Sequence, residues 1–403
     1  MKKQKTSSEA KTAVVILACK DYESLEISLA NYLESTPSTQ NIHFFVLQNG
    51  RGSYDKERTY RVACRYRDLY PERITVVDWI PEDKPYKAIK TLLHDPALEN
   101  YFYVCKVDDD TFPVTKDWLD KLKKSYLTHK KMYKDKLAFT FPLVNNNPWG
   151  FLKTVEFLGL KNEYDTTIGR IHYGGSEWDI PWVQKYFPLK VYQKDEIFPS
   201  GFGTIWRYPY MARWIHEKTT FDVNNWIEKI SKKPDIIFDN QNRYSINCMF
   251  FEKPYWDILD NGTNDDESAV HETAVKNDLK LIACQSIPFV HLFFFSQREE
   301  NKDLIPTARS YYQKFLGINY PIAISENKEY ELENRIRYLE EHLTNYLTWQ
   351  TNYIKMLSNL NKWKRERFIF RILAICTFGS IKNKAKKRAK QLKQKINSTK
   401  EVK

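Results

Sequence analysis

The sequence predicts an α/β protein on a doubly wound, mostly parallel sheet, and three observations lead there. Apolar runs of strand length alternate with helix-period segments over the first 110 residues, as in parallel strands joined by crossover helices. One run, Tyr101 to Val107, passes straight into Asp108, Asp109 and Asp110, at the strand end where such sheets place their ligand crevice. The composition supplies a core: of 403 residues 42% are hydrophobic and 15% aromatic, too many for a disordered chain, and 17 Pro with 12 Gly exclude collagen-like or elastic repeats.

Taken in order, Ala13 to Ala18 read as a buried strand and Tyr22 to Glu34 as a helix, with Leu25, Leu29 and Leu33 at helical spacing. IHFFVLQNG is a strand ending in turn residues, Arg58 to Tyr70 a helix, RITVVDW a strand, and Tyr86 to Leu93 a helix before the strand that the aspartates close. The residues that follow each strand therefore face the crevice: Cys19 to Tyr22, Gln48 to Gly50, Asp78 and Trp79. Past Leu137 the pattern loosens into an aromatic, Gly- and Asn-containing region with short strand-like pieces, among them IFPSGFGTIW and INCMFF, before NDDESAVHETAVKND and the strand-like LIACQSIPFVHLFFF.

From Leu332 to Leu360, apolar residues alternate spacings of four and three, with Gln350 inside the seam. This predicts a coiled coil, and with it self-association, against a helix packed on its own body. The formal charge of +12 is concentrated beyond it: residues 362–403 hold fifteen Lys or Arg against Glu366 and Glu401, a net +13 that leaves −1 for residues 1–361. A nearly neutral body argues against nucleic acid as a partner. RFIFRILAICTF is too short to span a bilayer, and eight Lys or Arg between Lys382 and Lys395 suit an anionic headgroup layer. A peripheral amphipathic tail is expected, against a solvated basic one.

The six cysteines, at 19, 64, 105, 248, 284 and 376, form no metal-type spacing and several sit in strand-like runs, so reduced core thiols are expected. The polar start MKKQKTSSEAKT has no apolar stretch of signal-peptide type. A cytoplasmic protein, peripheral on the inner membrane, is the expectation.

Three carboxylates crowded at one strand end raise one another's pKa unless a cation joins them. Hard oxygen donors suit Mg2+ or Mn2+, which complete their shells with water and substrate phosphates, and a nucleoside diphosphate is the simplest such ligand. An exposed acidic turn is the plain alternative.

The stretch YFYVCKVDDDTF resembles the Asp-x-Asp strand of metal-dependent GT-A glycosyltransferases. The start AVVILACKDYESL and the strand VLQNG are similar to family 2 members of that fold. PYKAIKTLL followed by KVDDDTF, and IFPSGFGTIW, are similar to the fringe and β-1,3-galactosyltransferase group. The resemblance spans about residues 13–295 and implies a GT-A sheet, Mn2+ or Mg2+, and a nucleotide-sugar donor, a UDP-sugar first.

Carried over, it implies a nucleotide site from Ala18, Asp21, Gln48, Asp78 and Lys90, with Asp108 near the ribose or donor sugar and Asp109 beside it. It places Asp110 as direct metal ligand, His291 as the late metal-binding histidine, and Asp266 as the base, with Asp265 and Glu267 as alternative registers. Lys90 and Lys106 are phosphate partners by the same resemblance, although a lysine before acidic residues also balances their charge. Gly201 and Gly203 fit either a bulge that admits a sugar or an ordinary hairpin. Trp178, Trp182 and Trp206 fit either sugar platforms or core. His172 and His271 receive no role.

The implied organisation is a tail at 1–12, a catalytic domain at 13–325 (nucleotide half 13–110, acceptor half 111–325), a coiled coil at 326–363 and a basic membrane-surface segment at 364–403. The implied reaction is inverting transfer to a glycan acceptor. With the tail, it points to lipid-linked or lipo-oligosaccharide assembly in a bacterium. A nucleotidyltransferase would show a Gly-rich phosphate loop after the first strand, where ACKDYESLE has none. A catalytically silent membrane scaffold is the other rival.

Overall fold

The computed structural model describes residues 11–19, 21–37, 41–49, 56–82, 84–168, 209–238, 247–259, 266–292, 301–318, 320, 358, 390 and 391. The chain divides into two compact units, 1–77 with 82–323 and 78–81 with 324–403. Apart from Ser358, Lys390 and Gln391, the predicted coiled coil and basic segment lie outside the described residues, as do Gly201, Gly203, His172, Asp265, Cys376, Trp178, Trp182 and Trp206.

The first unit opens as expected. Strand β1 (Lys11–Ala18) is an apolar run buried on both faces, and helix α1 (Tyr22–Glu34) follows because Asp21 accepts from the main-chain N–H of Glu23 and Ser24. Then come β2 (Ile42–Gln48), α2 (Lys56–Leu69), β3 (Ile74–Val77), α3 (Pro85–Leu93), β4 (Tyr101–Asp108), β5 (Thr111–Pro113), α4 (Trp118–Tyr133), β6 (Leu137–Val144) and α5 (Pro148–Phe157). Farther along lie α6 (Pro209–Lys218), α7 (Val223–Ile230), β7 (Asp235–Phe238), β8 (Cys248–Glu252), α8 (Asp266–Lys276), β9 (Lys280–His291) and α9 (Leu304–Leu316).

The strands form one sheet in the order β3-β2-β1-β4-β8-β6-β9-β5, with β7 also paired to β9. The first four strands are parallel, as predicted. The second half, expected to be less regular, is mixed: β8 runs antiparallel to β4 and β6, β9 is parallel to β6, and β5 and β7 are antiparallel to β9. The slot beside β4 is filled by a short strand from far along the chain, and antiparallel neighbours need no crossover helix, so no alternating pattern announces them. Trp118, Trp226 and Trp256 are fully buried. Among the described residues no disulfide forms, and no helix is long and apolar enough to cross a membrane.

Candidate active site

Strand alternation puts Lys106 and Asp108 on the same face of β4. The Lys106 Nζ donates to Asp108 Oδ1 at 2.6 Å and lies 3.6 Å from Asp266 Oδ2 at the start of α8. The other Asp108 oxygen accepts from Asn247 Nδ2 at 3.3 Å, and the Asp108 main-chain N–H donates to the Asn247 carbonyl at 3.0 Å. Burial works against the Lys106 ammonium, but Asp108 and Asp266 outweigh it and push its pKa up. Burial raises the Asp108 carboxyl, Lys106 pulls it back and Asp110 raises it again, for a net rise. Lys106, a candidate phosphate partner, thus serves as the internal counter-ion of two carboxylates.

Asp109 turns the other way. Its Oδ2 accepts from the Cys19 main-chain N–H at 2.7 Å, tying the end of β4 to the end of β1. Asp110 meets the far side of the sheet, because β5 begins at the next residue and pairs with the end of β9 in the register Thr111 to His291. The Asp110 carbonyl accepts from the Leu292 N–H at 2.9 Å, and Asp110 Oδ1 stands 3.3 Å from His291 Nε2.

The His291 ring is buried, and its Nδ1 lies 3.0 Å from the Asn146 carbonyl, which can only accept. Nδ1 therefore carries the proton and Nε2 faces the carboxylate. Burial lowers the His291 pKa, but Asp110 overcomes it and the net shift is upward. A lone pair on Nε2 opposite a carboxylate oxygen calls for a cation between them, either a proton or a metal ion. One carboxylate oxygen and one imidazole nitrogen with an anchored second nitrogen fit Mn2+ or Mg2+ as a two-donor seat. Among the described residues no three His, Cys, Asp or Glu side chains converge on one point, so phosphate oxygens and water would complete the shell.

Ala18 ends β1 beside Gln48 of β2, and its carbonyl accepts from Asn49 N–H at 2.8 Å. Asp21 serves helix α1: besides the two main-chain donors it accepts from Ser24 Oγ at 2.7 Å. Asp78 directly follows β3. Lys90 sits in the last turn of α3, 5.9 Å from the Tyr86 ring centroid. Asp266 is the first residue of α8 and buried, whereas Glu267 is half-buried.

Sequence reading missed Asn145, Asn146, Asn147, His216 and Asn247, all buried around the aspartate turn. For Asn145, Asn146 and Asn147 the signal was three consecutive amides directly after the buried strand LAFTFPLV, the same strand-then-polar pattern that marked the aspartates; His216 and Asn247 carried none.

No family model and no curated protein matches the chain. A mannosyltransferase of Pyrobaculum calidifontis, solved with GDP-mannose and Mn2+, overlaps it with a TM-score of 0.38 at 9% identity, covering 98% of this chain and 86% of the other. Core-mannan synthase A of Aspergillus fumigatus in its Mn/GDP form overlaps with a TM-score of 0.28 at 12% identity, covering 78% and 88%. At these values neither overlap bears on function, which rests on the site itself.

Proposed function

We propose that the chain is a metal-dependent glycosyltransferase that moves a sugar from a nucleotide donor to a glycan acceptor with inversion. The observation that carries this reading is the divergence of three adjacent carboxylates at the end of a parallel strand, one of them facing His291. Asp110 and His291 would hold the cation, which when bound neutralises the diphosphate as it leaves. Asp266 is assigned as the base that takes the proton of the acceptor hydroxyl while the oxygen attacks the anomeric carbon. Lys106 separates Asp266 from Asp108 by charge, and Asp108, held on both oxygens, is oriented toward the donor.

A UDP-sugar donor, a lipid-linked acceptor and a place on the inner membrane's cytoplasmic face extend the same proposal, on the sequence resemblance and the basic tail. Calorimetric titration of UDP and GDP with and without Mn2+, then a panel of UDP- and GDP-sugars scored by released nucleotide, tests it. Binding and turnover that require Mn2+ support the reading; turnover unchanged in EDTA overturns it.

A further inference from the structure

Asn145, Asn146 and Asn147 follow β6 and are completely buried. Buried amides are retained where their donors and acceptors meet partners, and these three point to different parts of the site. Asn145 Oδ1 accepts from the His291 main-chain N–H at 2.9 Å, while its Nδ2 donates to the hydroxyls of Thr219 at 2.8 Å and Thr220 at 3.1 Å. Asn146 takes the His291 Nδ1 proton on its carbonyl, and its Nδ2 lies 3.2 Å from His216 Nε2. The opposite His216 nitrogen is 2.7 Å from the Thr220 hydroxyl. Asn147 accepts from the Gly150 N–H at 2.7 Å, and its Nδ2 reaches the Asn247 Oδ1 at 3.4 Å. Asn247 holds Asp108 in turn.

Two site residues from distant strands are thereby referred to one short run of chain. Asn145 and Asn146 grip His291 at main chain and ring, and Asn147 reaches Asp108 through one intermediary. The Thr220 hydroxyl serves both Asn145 and His216, so the run is braced from α6 and the turn after it.

We propose that Asn145–Asn147 is a positioning run that holds His291 and Asp108 in one frame, so that Asp110 and His291 form a ready seat for a divalent cation. The inference rests on the metal reading above. Outer partners of this kind set ring orientation and change metal affinity by about 10- to 100-fold.

The test compares Mn2+ binding by the full chain, read from the electron paramagnetic resonance of free Mn2+, in wild type, Asp110→Asn, Asn145→Ala and Thr220→Val. Thr220→Val preserves shape while removing the shared hydroxyl, and it decides the matter if Asn145→Ala does not fold. The expected result is a roughly 10- to 100-fold weaker Mn2+ affinity in Asn145→Ala. A smaller loss is expected in Thr220→Val, and complete loss in Asp110→Asn. A purely structural role would lower the melting temperature and leave the folded protein's Mn2+ affinity at the wild-type value. That outcome in Asn145→Ala and Thr220→Val, or in whichever of the two folds, while Asp110→Asn still loses Mn2+, overturns the proposal alone. A wild-type chain that binds no Mn2+, with or without UDP or GDP, overturns the metal reading and the proposal together.

Discussion

Asp108, Asp109 and Asp110 are neighbours in sequence, yet their carboxylates meet Lys106, the Cys19 main chain and His291 respectively. Substitution at the three should therefore fail in three ways. Asp110→Asn should remove divalent-dependent turnover with the fold intact, checked by Mn2+ titration of activity beside circular dichroism. Asp266→Asn should lower turnover by roughly 10² to 10⁴ with nucleotide binding retained. If Glu267→Gln shows the larger loss in the same assay, the base lies one residue further on. His216 offers a pH test: burial and the adjacent His291 push its pKa down to about 3. Between that value and the ordinary value of 6.5 the unfolded chain binds more protons than the folded one, so the contribution is present above pH 6.5 and drains as pH falls. Between pH 7 and pH 5 the loss should be about 2 kcal/mol. His216→Phe should flatten the dependence of melting temperature on pH over that range.

At the scale of elements, the site is made by β5 and β9. A three-residue strand begins immediately after the aspartates and pairs with the end of a long one, so the register alone sets Asp110 beside His291. The parallel half was legible because strands buried on both faces read as unbroken apolar runs, and Leu25, Leu29 and Leu33 at helical spacing marked α1 at its observed limits. Strand β7 was not, since four residues carry too little pattern; INCMFF read as strand-like and holds most of β8, but its place beside β4 was hidden because its partners are remote in sequence. The aspartates announced themselves by charge; the asparagines make their contacts only after folding and left no periodicity. Helix α5 adds a constraint: a Cβ at Gly150 would sit 1.7 Å from the Val144 carbonyl oxygen. Gly150→Ala must shift backbone, with an expected cost of about 1–3 kcal/mol. Because the shift falls on the asparagine turn, Mn2+ affinity should drop along with the melting temperature measured by calorimetry.

For the whole molecule, the heptads and the basic segment yield a prediction separate from catalysis. A chain ending at Ile324 should be monomeric by light scattering and should ignore anionic liposomes, while the full chain self-associates and binds them. Salt should release the full chain only in part, since apolar insertion is not screened. A monomer's mass for the full chain as well, or no binding at low ionic strength, would remove those readings one at a time. The sheet carries a further consequence, in the time domain. The main-chain N–H of His291 bonds a side chain 146 residues earlier, and Asp109 bonds main chain 90 residues earlier. Loop closure over such spans is slow, so the central strands can pair long before the proposed cation seat exists. During synthesis the parallel half leaves the ribosome first, and Asp110 can meet His291 only when β9 arrives. Metal affinity in refolding experiments should accordingly appear in the slowest phase, after most of the ellipticity has returned.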